Sequence, residues 1–203
     1  MSKVMVVAGE VSGDKHAAAV VKEIKKKVPE TDFIGMGSDY LKNEGVDIII
    51  DPTEISTIGF IESFKNIRSH FKNLKLLSEY IDREQPDVIF LVDFSGFNML
   101  MARIANKKDI PVVNYFPPSA WIWGKWRAKW MARYNATIAA VFPMEREVYS
   151  EVGAKVHFVG HPLLDIIRIR DRKKEIYSRL ELRPDQKVIG LLPGSRTGEI
   201  NAL

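Results

Sequence analysis

Short runs of Val, Ile, Leu and Phe alternate along this chain with much longer amphipathic stretches, and nothing else in the sequence restricts the fold as much. Residues 4–8, 33–35, 47–50, 88–92, 112–115, 137–140, 156–159 and 188–192 read as strands. Several lack the polar alternation of a half-exposed strand, as strands covered on both faces do. Helical patterns fill the intervals at 15–28, 61–83, 99–107, 125–134, 144–152 and about 164–180. Strand, helix, strand in repetition predicts an α/β fold with a parallel sheet flanked by helices.

The composition agrees. Hydrophobic residues make up 46% of the 203 and charged ones 28%, a balance that builds a core and excludes a disordered chain. The absence of cysteine removes disulfides and thiolate metal sites and fits a reducing compartment. No apolar run approaches the ~20 residues of a membrane-spanning helix. The first run is followed at once by Glu10 and Asp14, unlike a secretion signal. A soluble or peripheral protein is expected, and the formal charge of +4 favours an anionic partner without identifying one.

One boundary is visible. Residues 168–187 are dense in charge, and a fresh strand–turn–helix pattern follows Pro184. The expected organisation is a first domain over 1–165, a charged helix or linker over 166–186, and the start of an incomplete second domain over 187–203. A longer parent protein is therefore expected.

Ligands of open α/β sheets bind beyond the carboxyl ends of the strands, which directs attention to the loops there. The first, GEVSGD at 9–14, holds two acids where a phosphate would be repelled. Carboxylates accept hydrogen bonds from hydroxyls, so Glu10, Ser12, Gly13 and Asp14 suit a sugar. Ser12 or Asp14 as a helix cap is the plainer reading, and His16 reads as a packed or helix-surface histidine. GMGS at 35–38 reads as a turn, lacking the spacing of a phosphate loop. At 92–98, VDFSGFN, Asp93 stands where a buried strand emerges, a place for a general base. Asn98 follows at the next helix, where capping is the alternative.

All four tryptophans lie between residues 121 and 130, and no acid occurs between Asp109 and Glu145. Trp123, Trp126 and Trp130 are spaced as a helical core stripe, while Trp with Lys and Arg also suits a membrane interface. Nucleic acid ranks below both, since no extended basic stripe is present. Ile58, Phe60, Ile61 and Phe64 precede a basic stretch that either lies in an interface or exposes a solvated face. In LLPGSRTGEI, 191–200, Gly194, Ser195 and Arg196 suit an anion at a helix start, with Glu199 for capping or a ribose hydroxyl. His161, at a strand end in VGHPLLD, faces a ligand or is structural.

Together GEVSGD, ISTIGFIE, QPDVIFLVDFSGFN, YFPPSAWIWG, FVGHPLLD and LLPGSRTGEI resemble, in order, the lipid-A-disaccharide synthase family. The resemblance implies the N-terminal half of a GT-B fold, a Rossmann-like parallel sheet, followed by the first strand and helix of a second Rossmann-like domain. It implies an inverting, metal-free and cofactor-free transfer of 2,3-diacylglucosamine from its UDP donor to 2,3-diacylglucosamine 1-phosphate. The enzyme would work at the cytoplasmic face of the inner membrane, bound to an anionic surface, with no nucleic acid partner and the oligomeric state open. Asp93 and Glu10 become the catalytic candidates. Ser12, Gly13, Asp14, Asn98, Ser119 and His161 fall on the acceptor side, and Gly194, Ser195, Arg196 and Glu199 on the donor diphosphate. Ile58, Phe60, Ile61, Phe64, Trp121, Trp123 and Trp126 meet acyl chains or membrane. Gly96 departs from the family pattern, standing where a second acid is common, so the base is expected at Asp93, with Glu10 as the other candidate. Another GT-B UDP-sugar enzyme, epimerase-like, and a non-catalytic lipid- or sugar-binding fragment are the competing expectations.

Overall fold

The computed structural model describes residues 2–53, 63–167 and 173–192, together with 194 and 200. In chain order the elements are β1 (Lys3–Ala8), α1 (Val11–Lys27), β2 (Asp32–Met36), α2 (Asp39–Asn43), β3 (Asp47–Ile50), α3 (Ser63–Glu84), β4 (Val88–Val92) and α4 (Ser95–Lys107). There follow β5 (Val112–Tyr115), α5 (Ala120–Trp123), α6 (Trp126–Arg133), β6 (Thr137–Ala140), α7 (Pro143–Glu151), β7 (Lys155–Phe158), α8 (Leu163–Ile166) and α9 (Lys173–Arg179). Contacts divide the chain into two compact units, Met1–Pro162 and Leu163–Leu203.

The first unit is a seven-stranded sheet in the order β3-β2-β1-β4-β5-β6-β7, every pairing parallel. Alternate residues of each strand enter two separate cores, as the pleat requires. Met5, Val7, Ile34, Ile89, Leu91, Val112 and Ile138 pack with Leu77 and Ile81 of α3, Met101 of α4, Met131 of α6 and Tyr149 of α7. Val4, Val6, Phe33, Phe90 and Val92 pack on the other face with Ala17, Ala18 and Val21 of α1. Burying each large aliphatic side chain contributes about 1.5–3 kcal/mol, which is why the unbroken apolar runs became central strands. Gly35 lets β2 lie close to β1: a Cβ there would stand 1.9 Å from the Val6 carbonyl oxygen.

Several expected boundaries shift for physical reasons. Helix α1 begins at Val11, four residues before the expected start, so Ser12, Gly13 and Asp14 lie inside its first turns. Gly13 looks like a loop residue, yet it is the point of closest approach to β4, where an added Cβ would lie 3.3 Å from Val92 O. The helix expected at 125–134 is preceded by the short α5, and Gly124, at φ +105°, separates the two. No strand forms at 188–192. Ile189, Leu191 and Leu192 are almost fully exposed there, and no strand of the described residues pairs with them.

Candidate functional site

The strand order reverses between β1 and β4, because β1 leads on to β2 on one side while β4 leads on to β5 on the other. Crossovers leave opposite faces at such a point, and a crevice opens beyond the strand ends. The loops bordering it are 9–10, after β1, and 93–94, after β4. Gly9 admits the Phe94 ring, whose atoms would lie 2.2–2.5 Å from any Cβ at that position.

This close approach brings Asp93 to the first turn of α1. Ser12 Oγ donates to Asp93 Oδ2 at 3.1 Å, and the Asp93 amide donates to Tyr115 O at 3.2 Å. Asp93 sits at φ +41°, and Phe116, just past β5, at φ +53°. Left-handed backbone at non-glycine residues costs on the order of 1–3 kcal/mol and persists only where the surroundings enforce it. Here it occurs twice, at the ends of adjacent strands. Glu10, the residue before α1, is exposed at the same rim.

Asp14 has a different situation. It is 1% exposed, and its carboxylate accepts hydrogen bonds from Ser38 N (2.8 Å), Ser38 Oγ (2.8 Å) and Tyr40 N (2.9 Å). It does not cap α1, and instead ties α1 to Ser38 and to the first turn of α2. Of GMGS, expected as a turn, Gly35 and Met36 end β2, and Gly37 after it serves that contact, since a Cβ there would lie 2.8 Å from Asp14 Oδ1. Asn98 is fully buried in α4. Ser119 precedes α5 and makes no side-chain cap bond.

His16 is packed, one of the two readings that its sequence context gives, and it lies near enough to Asp93 to feel its charge. Its ring stacks on Phe116 at 4.7 Å between centroids, with His161 edge-on to both and Phe142 5.3 Å from His161. Burial holds the His16 imidazole below its usual pKa, His161 and Lys15 act in the same direction, and Asp93 opposes them. Between the ordinary value near 6.5 and the lower folded value, the unfolded chain binds the proton more readily than the folded one. Stability therefore falls as pH drops through that window. We expect His16→Gln to flatten this limb, so that melting temperature declines less from pH 7 to 5 than in the unaltered chain. Superimposable profiles would contradict this assignment.

A cleft of about 350 Å³ runs between α3 and α4, lined by His70, Phe71, Leu74, Phe94, Gly96, Phe97 and Leu100. A Cβ at Gly96 would meet nothing within 4 Å. In the tryptophan-rich stretch the expected core stripe does not form. Trp126 and Trp130 are exposed, with Arg127 and Arg133 over their rings, while Ala128 and Met131 turn inward. Trp121 is likewise exposed. Ile58, Phe60, Ile61, Ser195, Arg196 and Glu199 lie outside the described residues, as do the side chains of Phe64 and Trp123. Gly194 is described, with φ +110°, in the second unit. Among the described residues no group of three or more His, Asp or Glu could hold a metal ion, and no helix is long and apolar enough to cross a membrane.

A wholly parallel sheet in this order, with polar side chains gathered where it reverses, is a Rossmann-like half of GT-B type. S. aureus MnaA, solved with UDP, aligns over 89% of this chain and 50% of its own, with a TM-score of 0.56 and 12% identity. Arabidopsis thaliana UGT89C1 complexed with UDP aligns over 91% and 55%, at 0.52 and 15%. At such identities the likeness is one of fold. The family model for lipid-A-disaccharide synthetase matches residues 4–203, and the chain belongs to that family. Lipid-A-disaccharide synthases of Geobacter metallireducens and Syntrophus aciditrophicus are 37% and 36% identical over 99% and 98% of the chain. The chain spans about half their length, 52% in each case.

Proposed function

We propose that this chain is the acceptor-side half of an inverting glycosyltransferase. The enzyme transfers 2,3-diacylglucosamine from UDP-2,3-diacylglucosamine to 2,3-diacylglucosamine 1-phosphate, yielding the β-1′,6-linked disaccharide 1-phosphate and UDP. The observation that carries this reading is Asp93 at the switch point, fixed by Ser12 and by the end of β5. In the reaction, the acceptor 6-hydroxyl oxygen bonds to the donor's anomeric carbon as Asp93 takes its proton. The bond from that carbon to UDP breaks on the opposite face, UDP leaves with the electron pair, and the centre inverts. A carboxylate in hydrogen-bond reach of the hydroxyl is what such general-base chemistry needs.

Glu10 grips neighbouring hydroxyls at the rim, with Ser119 and His161 on the same acceptor side. Gly194, Ser195 and Arg196 hold the diphosphate through backbone amides and a guanidinium, with Glu199 for the ribose. No metal enters the reaction. The apolar cleft between α3 and α4 supports an acylated acceptor, because Phe94, the residue after Asp93, lines it. Exposed Trp121 and Trp126, with the segment from Ile58 to Phe64, rest on the cytoplasmic face of the inner membrane, their neighbouring cations on lipid phosphate.

The test joins this chain to the remaining half found in its relatives and supplies both substrates. Mass spectrometry should find the disaccharide 1-phosphate and UDP in equal amounts. Epimerised UDP-sugar without disaccharide, or binding without turnover, would replace the proposal with one of its competitors.

A further inference from the structure

Two side chains in the first unit's core have no visible reason to be polar. Asn98 and Asn114 are each 0% exposed, and none of their four amide nitrogen and oxygen atoms has a hydrogen-bond partner. A buried amide atom left unpaired bears its full desolvation penalty, so four of them in one layer would weigh heavily on a marginally stable domain. Native proteins meet such groups with ordered water, which makes about three hydrogen bonds where it is buried.

Ideal helix and strand geometry puts the two residues at similar heights. Helix α4 and strand β5 run in opposite directions from a shared turn in which Ile110 N donates to Ala105 O. From that turn, Asn98 lies about 10 Å along the helix, at ~1.5 Å per residue. Asn114 lies about 13 Å along the strand, at ~3.3 Å per residue. Asn114 pairs in register with Leu91 and Ile138, which enter the same core as Phe97 and Met101 of α4. Both amides therefore occupy the layer between α4 and the sheet, near its carboxyl end, and they do not bond each other directly.

We propose that Asn98 and Asn114 share an internal water site that ties α4 to β5 directly beneath the Asp93 loop. The tie completes a ring. The Asn98 backbone N–H donates to Phe94 O at 2.8 Å, one residue after Asp93, and the Asp93 backbone N–H donates to Tyr115 O, one residue after Asn114. Water between the two side chains closes the remaining gap and resists relaxation of the left-handed Asp93. The two asparagines are positioning residues and touch no substrate. The inference stands whichever reaction the protein catalyses.

The test uses the 203-residue chain and needs no substrate. A crystal structure should show at least one water within hydrogen-bond distance of amide atoms from both residues. Asn98→Leu and Asn114→Leu should each lower the melting temperature by about 5 °C or more. The double variant should lose less than the sum, because the second change acts on a bridge already broken. In Asn114→Leu, hydrogen exchange at the Asp93 amide should speed up at least ~10-fold relative to the Val6 amide in β1. Leucine variants that melt higher, or a dry site, overturn the proposal. Unaltered relative exchange at Asp93 overturns the positioning role. If neither variant folds, the presence or absence of the water in the unaltered chain decides the matter.

Discussion

Asp93→Asn, made in a protein carrying both halves of the enzyme, is expected to lower turnover at least ~100-fold while leaving the fold intact. The amide has nearly the shape of the carboxylate and retains an oxygen to accept the Ser12 hydroxyl, so the contact at 3.1 Å need not be lost. What disappears is the capacity to take a proton, and positioned general bases contribute about 10²–10⁴-fold. Circular dichroism and melting temperature check that the variant is folded, and initial rates with both lipid substrates give the effect. Ser12→Ala should act more mildly and in the same direction, since it loosens the base without removing it. Undiminished turnover in Asp93→Asn would transfer the role to Glu10, the other carboxylate at the rim.

The second large effect concerns stability. Gly35→Ala should cost about 4 kcal/mol or more, enough to leave little soluble chain, because its mechanism is a backbone clash that repacking does not relieve. The alanine Cβ would meet the Val6 carbonyl oxygen at 1.9 Å and the Val6 carbonyl carbon at 2.8 Å, from a backbone with φ +151°. Strand β2 cannot retreat, since β1 and β3 hold it on either side. Gly96→Ala provides the contrast. Its Cβ would enter open space within a helix, where alanine is favoured over glycine by roughly 0.5–1 kcal/mol. Urea denaturation of the two variants should move in opposite directions, and a Gly35→Ala chain as stable as the original would refute the clash.

The strands were legible because buried parallel strands read as unbroken apolar runs, and β3, β4, β5 and β6 have the expected bounds. The prominence of Asp93 was legible too, since an acid at the exit of VIFLV stands out by contrast. The start of α1 was hidden by Ser12 and Gly13, poor helix formers that serve contacts with Asp93 and with β4 respectively. Asp14 looked like a ligand residue because its partners, Ser38 and Tyr40, approach only when β2 has paired with β1. For His16 the sequence reads as packed or helix-surface, and only the fold shows what it packs on, since Phe116 and His161 reach it from distant strand ends. Asn114 gave no signal within its strand, because one polar residue in an apolar run shows its cost only when burial and partners are known.

Asp93 and Phe116 keep their left-handed backbones only while β4 and β5 lie side by side. Local loosening of β5 would free the Asp93 loop to drop into a relaxed shape, with the rest of the sheet still standing. With Asp93 as the proposed base, a protein carrying both halves should lose activity before it melts. On gentle warming or in dilute urea, inactivation should precede the loss of circular dichroism, so that molecules already silent still look whole.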